Sequence, residues 1–347
     1  MNLLRARAWV RAVVPLGLVV CSTCAALLIA EAALRLAGPS SPRFVWERGM
    51  YLGDSQLGVV LKPGFATHFD DGIARGEIRI NTLGQRDEEP GGDAERRILL
   101  VGDSFAFGAL LDQRETIDRA MERLVPGLDV YNLGVSGYNL PDQLEALRRC
   151  ALPAKLVLYL FFENDLQPAD PQAVVDGYRV MRFVRPDGRQ ASDEELGDII
   201  QTALASRREG LSAFARLTLV RQLVRRGRQQ PVDDQTDLIP AADRPRLVAR
   251  ALRYSLAMRD EAARRGMSFA VAIVPAVGEV RVQQYQPSTS AYVAGLRQAG
   301  FTPIDMLKSV VVSDYWTHNA HFNASGARAA ARAILGALPM PWRIHHD

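Results

Sequence analysis

Five short, mainly apolar segments separated by helical patterns constrain this chain more than any other feature. The segments lie at 98–102, 128–134, 154–162, 267–275 and 301–305. Helical patterns follow Thr116, span 141–150 and close the chain in ASGARAAARAILGAL. Strands that lack polar alternation are buried on both faces, which is typical of a parallel sheet covered by helices. The pattern therefore predicts a flavodoxin-like three-layer α/β/α sandwich around a five-stranded parallel sheet.

The remaining residues divide the chain into three parts. Residues 1–37 are predicted to form a cytoplasmic tail and transmembrane anchor. Residues 38–95, rich in Gly and Pro, indicate a linker with short strands such as GEIRIN at 76–81. Residues 96–347 form the main domain, with an Arg-rich insertion at about 166–245. A chain of 347 residues that is 48% hydrophobic can bury a large core.

The N-terminal segment resembles an export signal that remains in the membrane. A short basic tail precedes an uncharged stretch from Ala12 to Ala30. As a helix this stretch spans roughly 28 Å, close to the thickness of the bilayer core. A cleaved signal peptide is the alternative, because AEA at 30–32 fits a small-x-small cleavage pattern. We favour a single-pass helix in the inner (cytoplasmic) membrane with the main domain on the periplasmic side, although positive residues flank the span equally.

Charge and cysteine usage exclude several classes of protein. The formal net charge of +3 and the lack of a long run of one sign argue against a nucleic-acid partner. Cys21 and Cys24 lie inside the apolar stretch and leave Cys150 without a partner, so no disulfide framework is expected. His318 and His321 have no ligand cluster at metal spacing, and we expect neither a metal nor a cofactor.

A polar or glycine residue follows nearly every predicted strand. Ser104 stands in VGDSFAFG, Gly137 in NLGVSGYN and Asn164 in FFENDL, and the histidine segment DYWTHNAHFNASG follows the last strand. Each has a purely structural explanation, because Ser and Asn cap helices and Gly permits turns. In an open parallel sheet, however, the carboxyl ends of the strands form the ligand site. A serine, a glycine, an asparagine and a histidine in this order indicate nucleophilic catalysis with an oxyanion hole.

These motifs resemble the SGNH, or GDSL, hydrolase superfamily. The resemblance rests on ILLVGDSFAFG, YNLGVSGYN, LYLFFENDL and NAHFNASGARAAA, and covers about 75–335 apart from the insertion. It implies that Ser104 attacks an ester carbonyl and that His321 accepts its proton. The N–H groups of Ser104 and Gly137 and the amide of Asn164 would hold the oxyanion. IRINTLGQRDEE (78–89), together with the predicted anchor, is similar to a membrane-anchored bacterial subset associated with envelope polysaccharides.

The carboxylate of the triad is the point at which the chain departs from that pattern. H-F-N-x-x-G matches the block around the family's histidine and selects His321 over His318. The family's aspartate stands two or three residues earlier, where this chain has Asn319 and His318. Asp314 is the candidate acid and Asp305 the second choice, while Asn319 is a candidate substitute that orients the imidazole without charge.

The resemblance implies an esterase or an acyl (acetyl) transferase that acts on an exported carbohydrate ester through a Ser104 acyl-enzyme. The alternatives are an SGNH-fold glycan-binding or assembly protein with little activity, and an esterase that acts on lipids. The expected partners are an acylated carbohydrate or another ester, and the membrane.

Overall fold

The computed structural model describes residues 15, 18–19, 21–30, 32–33, 49–54, 56–70, 74–91, 93–167, 239–317, 319–339 and 342. His318 and most of the predicted insertion at 166–245 lie outside these residues. So does part of the predicted anchor, whose described positions 21–30 are helical. Within the described ranges, no helix is both long enough and apolar enough to cross a bilayer.

The strands form one parallel sheet and two hairpins. They are β1 (Tyr51–Asp54), β2 (Gly58–Leu61), β3 (Ala66–Asp70), β4 (Arg75–Arg79), β5 (Arg97–Val101), β6 (Asp129–Asn132), β7 (Leu156–Phe161), β8 (Ser268–Ile273) and β9 (Ile304–Asp305). The parallel sheet has the order β6-β5-β7-β8-β9. When these five strands are renumbered 1 to 5 in the order in which they occur along the chain, the sheet order is 2-1-3-4-5, which is the flavodoxin-like arrangement. The predicted five-stranded parallel sheet is confirmed.

The helices cover both faces of this sheet. They are α1 (Ser104–Phe107), α2 (Ile117–Leu124), α3 (Leu140–Arg149), α4 (Arg244–Arg264), α5 (Val277–Val282), α6 (Pro287–Gln298) and α7 (Ala324–Ala337). Helices α2 and α7 pack together on one face, while α3 and α6 pack against α4 on the other. Within β5, Ile98 and Leu100 face the first layer, and Leu99 and Val101 face the second. Both sets are fully buried because successive strand side chains point to opposite faces.

The segment predicted as a linker contributes a third apolar cluster. Strands β1 and β2 pair as one antiparallel hairpin, and β3 and β4 pair as another. The apolar side chains of both hairpins are buried against the loops that follow β5 and β6. The cluster includes Met50, Leu61, Ile78, Phe107, Leu110, Val135 and Tyr138. The hairpins therefore pack on the same sheet edge at which the candidate site residues stand.

Candidate active site

Ser104 is placed by the tight turn between β5 and α1. A Cβ at Gly102 would lie 2.9 Å from the Ala106 Cβ, so glycine lets the strand and the helix approach closely. Asp103 caps α1, and its carboxylate accepts the Phe105 N–H at 2.9 Å. Ser104 thus becomes the first helical residue. Its N–H precedes the first intrahelical hydrogen bond and is available for an external acceptor.

His321 joins Ser104 to Asn319 in one chain of hydrogen bonds. The Ser104 Oγ lies 2.8 Å from His321 Nε2, and His321 Nδ1 lies 2.5 Å from Asn319 Oδ1. The backbone N–H of His321 donates to the same Asn319 oxygen at 3.0 Å, which assigns that atom as the acceptor. Because an amide oxygen only accepts, the proton of the neutral ring resides on Nδ1. Nε2 then presents its lone pair to Ser104 and accepts a hydrogen bond from the Ser104 hydroxyl.

The environment of His321 favours the neutral imidazole. Burial lowers its pKa from 6.5 to about 4. The Phe105 ring lies beside it, with a centroid distance of 5.0 Å. An unprotonated histidine can act as a general base throughout the neutral range.

An aromatic cluster holds the histidine loop on the sheet edge. Tyr315 and Phe322 form a β-bridge across the base of the loop, and their rings lie 4.8 Å apart. Phe322 meets the Phe105 ring edge to face at 5.1 Å. The Tyr315 hydroxyl donates to the Pro275 carbonyl just beyond β8, at 2.6 Å. These contacts attach the loop to helix α1 on one side and to the residues just beyond β8 on the other.

Asn323 and Gly326 anchor the far end of this loop. The Asn323 side chain accepts the N–H groups of Ser325 and Gly326 and so caps α7. Its amide donates to the Ser313 carbonyl at 2.7 Å. A Cβ at Gly326 would overlap the Asp314 carbonyl oxygen, so only glycine fits there. Asn323 and Gly326 of the H-F-N-x-x-G motif therefore have a role in packing and helix capping.

The two aspartates considered as the acid are engaged elsewhere. The Asp314 carboxylate accepts the Val311 N–H at 3.0 Å and caps the short 3₁₀ helix Val312–Asp314. Asp305 accepts the Tyr285 hydroxyl at 2.5 Å and the Leu307 N–H at 2.9 Å. The expectation that Asp314 serves as the acid does not match this geometry, because its carboxylate points to the backbone of its own turn. Asn319 occupies the place beside Nδ1.

The two further oxyanion candidates lie on the loops after β6 and β7, the two strands that flank β5. Val135–Tyr138 is a turn closed by the Tyr138 N–H to the Val135 carbonyl at 3.1 Å. Gly137 has φ 91 at its third position, where a positive φ favours glycine. Asn164 donates one amide hydrogen to Asp103 Oδ2 at 3.0 Å, and Ser104 Oγ lies 3.5 Å from the same oxygen. Asn164 and Ser104 are therefore neighbours around one carboxylate.

Two buried carboxyl groups lie beneath these loops. Burial raises the pKa of Asp103 above its ordinary value. Burial, reinforced by the charge of Asp103, raises the pKa of Asp165 well above its ordinary value. Asp165 accepts hydrogen bonds from the Tyr159 hydroxyl at 2.9 Å and from Gln143 at 2.7 Å. This network fixes the loop that carries Asn164.

Arg86 was not identified from the sequence, although it stands in the quoted IRINTLGQRDEE segment. Its side chain is fully buried. It donates to the carbonyls of Phe107 at the end of α1 and of Gly108 and Leu111 after it, at 3.1, 2.7 and 2.6 Å. It also donates to the Glu77 carbonyl and to Gln113 Oε1. Burial lowers its pKa to about 10, so it stays charged at neutral pH and holds the end of α1 and the loop that follows it.

Asp87, the next residue, ties the same segment to the sheet. Its carboxylate accepts the backbone N–H of Asn132 at 2.9 Å and also pairs with Arg119. Asn132 in turn donates to the Ala106 carbonyl at 2.7 Å. The signal that could have revealed both residues is an Arg-Asp pair beside a short strand, which a single sequence does not distinguish from a surface pair.

Comparison with known proteins finds similarity only among solved structures. No family matches the chain, and no curated protein sequence matches it. A member of the lipolytic protein G-D-S-L family from Veillonella parvula is 10% identical, with a TM-score of 0.39, covering 70% of this chain and 97% of that one. An aryl esterase from M. smegmatis is 13% identical, with a TM-score of 0.36, covering 69% and 96%. A carbohydrate acetylesterase from Sinorhizobium meliloti is 12% identical, with a TM-score of 0.35, covering 69% and 96%.

Proposed function

We propose that this protein cleaves or transfers acyl groups of esters through a Ser104 acyl-enzyme. The observation that carries the proposal is the continuous relay from Ser104 Oγ through His321 to Asn319 Oδ1. A serine hydroxyl at hydrogen-bond distance from an oriented, neutral imidazole is the arrangement that nucleophilic catalysis requires.

The positions of the Ser104, His321 and Asn319 atoms support the following reaction. His321 Nε2 takes the hydroxyl proton while Ser104 Oγ forms a bond to the ester carbonyl carbon. The electron pair of the C=O bond moves to oxygen, which the N–H groups of Ser104 and Gly137 and the Asn164 amide stabilise. Collapse of this tetrahedral adduct breaks the bond to the leaving alcohol, which receives the proton from Nε2. Water or a sugar hydroxyl then attacks the acyl-enzyme by the same steps in reverse.

Asn319 makes this relay weaker than one that ends in a carboxylate. Its oxygen holds His321 in the catalytic tautomer, as the hydrogen-bond geometry requires. It carries no charge, so it does not stabilise the imidazolium that forms in the transition state. In a serine protease, the replacement of the triad Asp by Asn costs about 10⁴ in kcat, chiefly through the wrong tautomer. Here the tautomer is correct, so we expect slow but measurable turnover.

We propose an acylated, exported carbohydrate as the substrate class. The support is the resemblance of IRINTLGQRDEE and of the apolar N-terminal stretch to envelope-associated proteins with an inner-membrane anchor and a periplasmic domain. The location is tested separately, by fractionation of cells and by protease access to the folded domain in spheroplasts. Recovery of the full-length chain in the soluble fraction would contradict the anchor, while digestion only after lysis would contradict its orientation.

One observation favours a second function, a glycan-binding or assembly protein with little activity. It is the lack of charge at Asn319, which occupies the position of the acid beside His321. A lipid esterase remains the third candidate, with the same acyl-enzyme chemistry.

The decisive experiment is labelling with a fluorophosphonate probe, which captures activated serines. We expect the wild type to be labelled and the Ser104→Ala variant not to be labelled. The His321→Ala variant should react at least about 10²-fold more slowly, because it lacks the base. Asn164→Ala should retain labelling at a lower rate, with about a 10²-fold loss of ester turnover. Absence of labelling in the folded wild type would support the binding function instead, and labelling that survives Ser104→Ala would exclude this nucleophile.

A further inference from the structure

Gln143 is a polar residue on the buried face of α3. Its side chain is completely buried, and Leu140, Leu144 and Leu147 share this face of the helix. Its amide oxygen has no hydrogen-bond partner among the described residues. Burial of an amide that is only partly satisfied costs free energy, which a leucine at the same position would avoid. The reason for a glutamine at this position therefore lies in the hydrogen bonds of its nitrogen.

The nitrogen of Gln143 connects two loops at the carboxyl edge of the sheet. Nε2 donates to Asp165 Oδ1 at 2.7 Å and to the Tyr138 carbonyl at 3.4 Å. A carbonyl oxygen only accepts, which assigns the atom near Tyr138 as the nitrogen. Tyr138 stands in the turn after β6, and Asp165 stands in the 3₁₀ helix Glu163–Leu166 after β7. One amide thus bonds to the loops of the two strands that flank β5.

Each of these two partners directly follows a candidate oxyanion donor. Tyr138 comes after Gly137, and Asp165 comes after Asn164. Because the two donors stand on separate loops, the distance between them depends on contacts that cross from one loop to the other. Gln143 makes such a contact from α3, a helix that packs against β5 and α4.

Other hydrogen bonds hold each loop to its own neighbour. The Tyr138 hydroxyl donates to the Val59 carbonyl at 2.7 Å, which ties the turn after β6 to strand β2. Asp165 accepts the Tyr159 hydroxyl at 2.9 Å, which ties its loop to β7. These bonds fix the two loops separately, whereas the Gln143 amide joins them to each other.

We propose that Gln143 is a positioning residue that sets the separation of the Gly137 N–H and the Asn164 amide around the oxyanion. This role rests on the proposed acyl-enzyme chemistry, because the two donors matter only when a carbonyl oxygen becomes charged between them. Such donors work at about 2.7–3.1 Å from the oxyanion, and a displacement of about 1 Å can cost about 10²-fold in rate. Loss of the Gln143 bonds should therefore slow the chemical step and have little effect on binding of the uncharged ester.

The test compares Gln143→Met with the wild type, both as the full-length chain. Methionine has a similar length and keeps apolar contacts, but its side chain has no N–H. The number of reactive sites is first counted from the completed reaction with the fluorophosphonate probe. The values of kcat and KM for a chromogenic acetate ester are then determined per labelled site. We expect kcat to fall about 10²-fold in Gln143→Met, while KM stays within about twofold.

Inhibition by trifluoroacetone supplies a measurement that a loss of stability would not change. Ser104 Oγ bonds to its carbonyl carbon, the hydroxyl proton passes to His321 Nε2, and the C=O electron pair moves to the oxygen, which becomes an oxyanion. The inhibition constant should rise in Gln143→Met by about the factor by which kcat/KM falls, because the adduct needs the same donors. In the Asn164→Ala background, Gln143→Met should cost only about tenfold or less, since one of the two positioned donors is already missing. An equal factor in both backgrounds would contradict the proposed role.

Leu147→Ala is the matched control. Leu147 lies one turn further along the same buried face of α3 and packs in the apolar core on the side of α4. Its truncation should lower the melting temperature and leave kcat per labelled site within about twofold.

Three outcomes would refute the positioning role of Gln143. They are an equal loss of kcat in Leu147→Ala, an unchanged kcat and inhibition constant in Gln143→Met, and a change in KM alone. A wild type that the fluorophosphonate probe does not label would instead refute the acyl-enzyme itself, and the role of Gln143 with it. A labelled and active wild type with an insensitive Gln143→Met variant would refute only the role of Gln143.

Discussion

Replacement of Asn319 by Asp should convert the uncharged relay into a charged one, and the size of the effect can be worked from the geometry. Asn319 Oδ1 lies 2.5 Å from His321 Nδ1, so a carboxylate there would face the ring directly. Two unit charges about 4 Å apart attract by about 4 kcal/mol at an effective dielectric constant of about 20. This corresponds to about 3 pKa units. The pKa of His321, which burial lowers to about 4, should therefore rise toward about 7.

The assay is the pH dependence of kcat/KM for a chromogenic acetate ester between pH 4 and 9. As the pH is lowered, kcat/KM of the wild type should begin to fall near pH 4, and kcat/KM of Asn319→Asp should begin to fall near pH 7; this fall is the acid limb of the profile. At pH 8 the variant should be faster by on the order of 10²-fold, because its carboxylate stabilises the imidazolium in the transition state. At pH 5 the variant is mostly protonated, so the two enzymes should become about equally active.

Two results would refute this reasoning. An acid limb that stays near pH 4 in Asn319→Asp would show that position 319 is not electrostatically coupled to His321. A loss of more than tenfold in turnover in Asp314→Ala, without a change in thermal stability, would show that Asp314 is the acid after all. Asn319→Ala, which removes the acceptor but adds no charge, is the matched control and should lower turnover.

Three further predictions follow from the packing and the protonation of the site. Gly326→Ala should lower the free energy of unfolding by at least about 3 kcal/mol in urea titrations and abolish ester turnover, because the new Cβ would overlap the Asp314 carbonyl. Gly336→Ala is the control, since nothing lies within 4 Å of a Cβ there, and it should be neutral or stabilising by up to about 1 kcal/mol. Arg86→Met should lower the free energy of unfolding by about 3 kcal/mol or more and should lower kcat, because buried carbonyls lose their hydrogen-bond donor. If Arg86→Lys restored both values, the charge at this position, and not the geometry of the five guanidinium hydrogen bonds, would be what matters. The pKa of His321 is lower in the folded state, so its contribution to stability is complete above pH 6.5 and is lost as the pH falls toward about 4. In chemical denaturation at pH 7 and pH 4.5, His321→Gln should therefore lose less free energy of unfolding on acidification than the wild type. An equal loss in the two proteins would contradict the lowered pKa of His321.

The sheet could be predicted from the sequence because its signal is local. Strands β5, β7 and β8 consist mainly of apolar residues, and such a run is stable only where both faces are covered. The strand boundaries were predicted less exactly. The predicted strand at 301–305 is only Ile304–Asp305 in the structure, since it lies at the edge of the sheet and pairs on one side only. Ser104 and Asn164 were identified for the same reason, since each directly follows a predicted strand, and the histidine segment comes after the last one.

The partners of the site residues could not be predicted, because they depend on contacts between distant parts of the chain. Asn319, rather than Asp314, stands beside His321, since Asp314 satisfies the N–H of its own turn. Arg86 lies more than twenty residues from the carbonyls of Phe107, Gly108 and Leu111, and nothing in its local pattern indicates burial. The hairpins of the predicted linker bury their apolar faces only because the loops after β5 and β6 present a complementary surface.

The sequence by itself therefore determined the sheet, its order of elements and the edge at which the candidate site residues stand, since apolar periodicity and strand ends are local properties. Only the tertiary structure decided which oxygen faces the imidazole of His321 and which side chain holds the loop that follows α1. These depend on the directions of individual hydrogen bonds and on the complementarity of packed surfaces, which residues far apart in the chain create together.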